Sequence, residues 1–361
     1  MTVEQLLRIA VEKGASDLHL VADMPPIIRI DGELTEIPDA KPITPDTLKA
    51  MVFDILDERR QKTFEEKREL DISYEIKGLS RFRVNLHWEK DRVSLAARVI
   101  STLTPSLEQL QMPPVIFELL RLKQGLILVT GPTGCGKSTT LAAMIDLINS
   151  ERRCNIITLE DPIEFIYTPK KSIIRQRQLG SDMISFQEAL KHALRQDPNV
   201  ILVGEMRDLD TIATTITMAE TGHLVLATLH TYNAAQTVDR IIDVFPPNQQ
   251  AQIRLQLSLF LKGIISQQLL PRIRTKKGIL GNDKIEPLSY GRVSAREVLI
   301  NTPAIANLIR ENKIPQIKSV IQTSAEYGMY TMDQNIRKLY NEGFVTRETA
   351  FHYMAEPETL E

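Results

Sequence analysis

The stretch LILVTGPTGCGKSTTLAAMIDLIN, residues 126–149, decides the fold class. It opens with an apolar β-type run, passes through Gly131-Pro132-Thr133-Gly134-Cys135-Gly136-Lys137-Ser138-Thr139, and continues as a helix-forming segment. Positions 131–138 match G-x-x-x-x-G-K-[ST], and the strand before and helix after are the context that gives this motif its meaning. Glycines allow a tight backbone turn whose successive N–H groups point at phosphate oxygens. The following helix adds the partial positive charge of its N-terminus. Lys137 is expected to reach β- and γ-phosphates and the Ser138 hydroxyl to ligate Mg²⁺, so ATP with Mg²⁺ is the expected ligand. Cys135 is a small side chain filling one of the free positions.

Working outward, apolar strand-like runs at 126–130, 155–159, 200–203 and 224–229 alternate with helical segments, the pattern of a parallel α/β sheet. Ser185-Phe186-Gln187-Glu188 has the form of a capping box opening one of those helices. Residues 1–100 predict a smaller α+β domain. It begins with a helix over 3–13 stopped at Gly14 and a strand over 17–21. Two short strands follow about Asp31-Gly32, then a helix from Thr44-Pro45-Asp46 toward Arg68, and strands over 71–76, 81–88 and 93–100. Residues 101–113 carry two prolines and several Ser/Thr and are assigned as a linker, which makes residues 114–361 the catalytic domain. Its last part, about 302–361, is expected to be a tail of short helices with stops near Gly328 and Gly343.

The 361-residue chain is 43% hydrophobic and 25% charged, ordinary for a folded globular protein. No apolar run approaches the ~20 residues needed to span a bilayer; the stretch 255–270 is interrupted by Gln256, Ser258, Lys262 and Gln267. The opening residues enter an amphipathic helical pattern without a signal-peptide form. With only two cysteines, Cys135 and Cys154, a reducing cytoplasm is expected and a four-thiolate zinc module is excluded. A formal charge of −2 offers no broad basic field, so no nucleic-acid partner is expected.

A phosphate loop needs carboxylates at neighbouring strand ends to hold Mg²⁺ and orient the attacking water. Two strands supply them. In ITLEDPIE, residues 157–164, the proline ends the strand and projects Glu160 and Glu164 toward the carboxyl edge of the sheet. In VILVGEMRD, residues 200–208, an apolar strand closes on Gly204-Glu205. Glu205 is the expected second Mg²⁺ ligand with Ser138. Glu164 is the first choice for catalytic base, with Glu205 the alternative. In TGHLVLATLHT, residues 221–231, His223 and His230 flank a buried-looking strand. Both are candidates for sensing a γ-phosphate or meeting a neighbouring subunit, His230 among the catalytic residues and His223 among those binding nucleotide.

Taken in order, GPTGCGKST, ITLEDPIE, VILVGEMRD and TGHLVLATLHT resemble the Walker A, Asp box, Walker B and His box of the secretion-superfamily ATPases. The resemblance covers nearly the whole chain, from GASDLHL (14–20) to the C-terminal helices. Within that superfamily the chain is most similar to the twitching-motility retraction ATPases of type IV pili, the PilT-like branch. It is short, lacks the cysteines of a metal module, and carries AIANLIRE (304–311), similar to the AIRNLIRE box of that branch, with Ala306 where the box has arginine. The resemblance implies a RecA-like ATPase domain, a PAS-like N-terminal domain and a homohexameric ring. It implies catalytic arginines from the N-terminal domain, matched by Arg83 and Arg98 with Arg81 beside them. Arg81 and Arg83 fall on the polar face of a strand whose other face is Phe82, Val84, Leu86 and Trp88. It further implies a motor at the cytoplasmic face of the inner membrane acting on the pilus platform protein. The alternatives are a pilus-assembly or type II secretion ATPase and a nucleic-acid translocase.

Overall fold

The computed structural model describes residues 1–30, 33–100, 104–273 and 291–360. The chain divides into two compact units, Met1–Leu103 with Glu164–Ile166, and Thr104–Ile163 with Tyr167–Glu361.

In the first unit, α1 (Val3–Glu12) precedes β1 (Asp17–Leu20), β2 (Ile27–Ile30) and β3 (Glu33–Glu36). Then come α2 (Pro45–Asp54), α3 (Glu58–Lys67), β4 (Glu69–Ile76), β5 (Ser80–Glu89) and β6 (Arg92–Ile100). The strands make one antiparallel sheet ordered β3-β2-β1-β6-β5-β4. Ile30 pairs with Glu33, the register of a two-residue hairpin; the turn pair Asp31-Gly32 lies outside the described residues. Alternation puts Phe82, Val84 and Leu86 of β5 into a core shared with Leu6 and Leu7 of α1, Leu48 and Val52 of α2, and Phe64 of α3. The single helix expected from Thr44 toward Arg68 is in fact two. Asp57 caps a new start by accepting from the Arg60 amide at 2.8 Å, and that local bond competes with continuing the first helix.

The second unit begins after residues 101–103 of the expected linker, which are outside the described residues; 104–113 runs as turns into α4 (Pro114–Leu120). There follow β7 (Gly125–Thr130), α5 (Lys137–Glu151), β8 (Asn155–Glu160), β9 (Ile173–Gln178), α6 (Phe186–Ala193), β10 (Val200–Val203) and α7 (Leu209–Glu220). Next are β11 (Leu224–Leu229), α8 (Ala234–Asp243), α9 (Pro247–Phe260), β12 (Leu261–Pro271) and β13 (Arg292–Ile300). The sheet order is β13-β12-β7-β11-β10-β8-β9, with all neighbours parallel except the edge pair β12–β13. Helices α10 (Pro303–Arg310), α11 (Ile317–Thr323), α12 (Met332–Asn341) and α13 (Arg347–Tyr353) form the helical tail. Gly328 and Gly343 both adopt left-handed backbone at helix ends, φ 76° and 77°.

A parallel sheet buried on both faces needs near-continuous apolar strands, and β7, β10 and β11 are buried throughout. Three strands escape that signal. β9 is an edge strand with the sequence IIRQRQ, and β12 and β13 carry polar residues in their interiors. The apolar stretch 255–270 accordingly splits into the end of α9 and most of β12. Among the described residues no helix is long and apolar enough to cross a membrane. At Ser185 the hydroxyl caps α6 through the Glu188 amide at 3.2 Å, while the Glu188 carboxylate turns to Lys191 at 2.9 Å.

Leu128 is fully buried in the strand feeding the phosphate loop. Leu128→Ala should lower stability by roughly 2–5 kcal/mol, seen as a lower denaturant midpoint. Ile184→Ala, at a position 97% exposed, should change it by no more than about 0.5 kcal/mol.

Candidate active site

The loop 131–136 leaves β7, an interior strand of the sheet between β12 and β11, and enters α5. Gly131 has φ 140°, and a Cβ there would lie 2.2 Å from the backbone oxygen of Gln267 and 2.7 Å from Cys135 Sγ. Only glycine lets the chain pass so close to β12 in that conformation. Gly136 caps α5 with no side-chain hydrogen bond, so the first amides of the helix have no capping side chain. Lys137 Nζ donates to the carbonyls of Gly131 at 2.8 Å and Pro132 at 3.1 Å, which holds the ammonium over the loop. Ser138 and Thr139 follow in the first turn, half-buried. Burial pushes the Cys135 thiol above its ordinary value against the pull of the Lys137 charge, so the sulfur sits behind the loop as a protonated, packed group.

The other groups gather because parallel strands end on the same edge. β11 lies between β7 and β10, and it brings His230, just past its end, beside Glu205, just past the end of β10. The Glu205 Oε1 lies 3.0 Å from His230 Nε2, and Oε2 lies 2.8 Å from Arg207 Nη2. Burial pushes the Glu205 carboxyl up, but the Arg207 hydrogen bond and the charges of His230, Arg207 and Lys137 outweigh it and hold it below its ordinary value. It is therefore an anion near neutral pH, facing a lysine across the loop. Thr228 Oγ1 donates to the Gly204 carbonyl and ties β11 to the Gly-Glu turn. On the next strand, Glu160 is buried and accepts from Thr158 Oγ1 at 2.6 Å and Gln176 Nε2 at 3.3 Å.

Lys137, Ser138, Glu205 and His230 thus share one edge with the glycine loop. Glu164 is exposed in the loop after β8, in the segment grouped with the first unit. His223 precedes β11, at the end opposite the phosphate loop; the six residues of the strand separate it from that edge by about 20 Å. Its ring is 3.0 Å from the Met218 carbonyl and 3.3 Å from Thr221 Oγ1, so within this chain it serves a turn and does not line the loop. Of the two roles expected for His223, sensing a γ-phosphate or meeting a neighbouring subunit, the first does not fit this chain's own loop, because the strand separates its two ends by its full length.

On the first unit's sheet, Arg83 and Arg98 are directly opposed across β5 and β6 and so share a face. Both are exposed. Arg98 Nε donates to Asp17 at 2.9 Å, Arg83 lies 3.9 Å from Asp71, and Arg81 Nε donates to Ser73 Oγ. Asp17 is pushed up by burial, yet the Ser16 and Arg98 hydrogen bonds and the Arg98 charge bring it below its ordinary value.

Sequence patterns alone missed Arg207, Thr140 and Gln267. Thr140 Oγ1 donates to Gln267 Oε1 at 3.0 Å, and Gln267 Nε2 donates to the Cys135 carbonyl at 3.0 Å. The usable signal was Ser266-Gln267-Gln268 inside an apolar strand, since a buried polar side chain must find partners.

Two outcomes test this geometry. Gly131→Ala should weaken ADP binding at least about tenfold by forcing the loop off β12, measured by calorimetry. Because the Glu205 pKa is lowered by folding, its stabilising contribution is present above the ordinary glutamate value of 4.5 and is lost as pH falls below it. Arg207→Met should therefore be less stable than the parent above about pH 5, with the gap narrowing on acidification in denaturant titrations.

Residues 1–352 match the family model described as Type II/IV secretion system protein. The chain is 44% identical over 360 residues to the type IV pilus retraction ATPase PilT of Pseudomonas aeruginosa, covering 100% of both. It is 43% identical over 349 residues to a twitching motility protein of Neisseria gonorrhoeae, covering 97% of this chain and 89% of that one. A crystal structure of the pilus retraction motor PilT with bound ADP superposes with a TM-score of 0.90 at 44% identity, over 99% of this chain and 98% of that one. The glycine loop, the acids at neighbouring strand ends and this likeness agree: the chain belongs to the Type II/IV secretion system protein family and is a PilT-like ATPase within it.

Proposed function

We propose that this chain hydrolyses Mg-ATP and, as a homohexameric ring at the cytoplasmic face of the inner membrane, powers retraction of a type IV pilus through the platform protein. The observation that carries the catalytic part is the Lys137–Glu205–His230 grouping at one sheet edge, opposite-signed charges flanking a glycine loop. The pilus part rests on full-length similarity to PilT.

The donor set fits the nucleotide and its ion. Ser138 offers a hydroxyl and Glu205 an ionised carboxylate, hard oxygens of the kind Mg²⁺ takes one or two at a time beside phosphate and water. When bound, Mg²⁺ neutralises charge on the β- and γ-oxygens. Residues 131–139 bind and orient the phosphates through backbone amides, and Lys137 adds a cation held over the loop. Glu164 accepts the proton of the attacking water in this reading, with Glu205 the alternative base. His230 keeps the Glu205 carboxylate aimed. Arg83 and Arg98, with Arg81, serve as the cations that stabilise the transferred phosphoryl group, a role worth about 10³–10⁵ in rate where arginine fingers have been measured.

Lys137→Ala should reduce phosphate release to roughly a hundredth or less with an unchanged circular dichroism spectrum. In cells the same variant should leave surface pili in excess; bald cells would assign the chain to pilus assembly instead. Glu164→Gln should bind ATP yet turn over slowly. Normal turnover by that variant, with loss in Glu205→Gln, transfers the base role to Glu205. Added DNA should leave turnover unchanged.

A further inference from the structure

Gln267 is 1% exposed in the middle of β12, and each end of its amide is used on the phosphate loop's side. Its Nε2 donates to the Cys135 carbonyl and its Oε1 accepts from Thr140 on the first turns of α5, both at 3.0 Å. Its own backbone oxygen is the atom that a Cβ on Gly131 would strike. One residue therefore meets the loop at its beginning, its middle and the helix that follows.

Directly across β12–β13, Gln267 pairs with Arg296, so the two side chains share a face. Arg296 is 6% exposed, and among the described residues it forms no ion pair. Its guanidinium instead donates to the carbonyls of Leu110, at 2.8 Å, and Gln111, at 3.5 Å, while Nε has no partner. Burying a guanidinium in this way is costly, and burial accordingly lowers its pKa from the ordinary arginine value. Residues 110–111 belong to the stretch by which the chain enters the second unit. Phosphate loop, Gln267, Arg296 and entering segment thus form one contiguous path, in a sheet too closely packed to deform gradually.

We propose that Gln267 is a positioning residue for the phosphate loop, and that Gln267 with Arg296 braces the loop against residues 104–113, so that nucleotide binding tightens that segment. The inference rests on the reading of residues 131–139 as a nucleotide site. A ligand can shift a distant segment only if its affinity differs between the segment's two conditions, and the brace supplies that difference.

The test uses the full chain and ADP. Gln267→Met keeps the volume but removes both side-chain hydrogen bonds, and Thr140→Val removes one of them from the other side. Gln267→Met should weaken ADP binding about tenfold or more, measured well below its thermal midpoint, which the unpaired Cys135 carbonyl and Thr140 hydroxyl should also lower. Thr140→Val should weaken it less, and the double variant should match Gln267→Met alone, because both act through the same bond. In hydrogen exchange, ADP should slow the Leu110 and Met112 amides, which are bonded to Ser106 and Leu107 carbonyls. That slowing should disappear in Gln267→Met and Arg296→Lys. If Gln267→Met misfolds, Thr140→Val and Arg296→Lys carry the test, since neither empties the core. ADP affinity within twofold of the parent in Gln267→Met overturns the positioning role. Amides at 107–112 that ignore ADP in the parent overturn the brace. Either result, with Lys137→Ala still abolishing ADP binding, leaves the nucleotide site standing; a parent chain that does not bind ADP removes the nucleotide site itself.

Discussion

The close approach of the Gly131 backbone to β12 is the constraint on which the rest depends. A phosphate loop works only if its amides point inward together, and their direction follows from where the loop leaves β7 and where it re-enters α5. The Gln267 carbonyl closes off the space behind Gly131, while the Gln267 amide holds the far side of the loop through Cys135 and Thr140. These contacts are buried, so each unmade hydrogen bond would cost the full desolvation of its group. These contacts within the protein hold the loop's shape, which reduces the cost of ordering it on binding.

Around that loop, the parallel sheet acts as a collector. Strands that all run one way finish on one edge, and whatever follows each of them is brought to the same crevice. Glu160, Glu205 and His230 are far apart in sequence, yet each follows directly on, or closes, a strand within the block β7-β11-β10-β8. The placement of β11 between β7 and β10 has a chemical result. Its terminal histidine stands next to the acid, and the charges of Arg207, His230 and Lys137 keep Glu205 ionised despite partial burial. The first unit shows a comparable economy. An antiparallel sheet with one face in a core leaves Arg83 and Arg98 side by side on the other, each beside an aspartate.

Much of this was legible in the letters. Glycine-rich loop, flanking strand and helix, and the acids after apolar strands follow rules of spacing that act over a few residues. The apolar runs at β7, β8, β10 and β11 announced themselves because both faces of a parallel sheet are dry. Where those conditions failed, the pattern failed with them. β9 is a polar edge, and β12 and β13 mix buried Gln267, Arg296 and Glu297 among apolar neighbours. The helix break at Asp57 was hidden because a charged run looks alike on one helix or two. His223 and His230 looked equivalent in a motif, and only the length of the intervening strand separates them.

The sequence by itself determined the class of the fold and the location of the phosphate loop, because those rest on local chemistry: backbone freedom at glycine, the charge of a helix start, and the reach of one lysine. It also determined which carboxylates end strands. The tertiary structure decided which of those groups meet. Strand order put His230 and Arg207 on Glu205 and left His223 at the far edge, and cross-strand register set Gln267 beside Arg296. Partners separated by more than a hundred residues, such as Cys135 and Gln267, come together only through packing of the whole sheet, which no local pattern encodes.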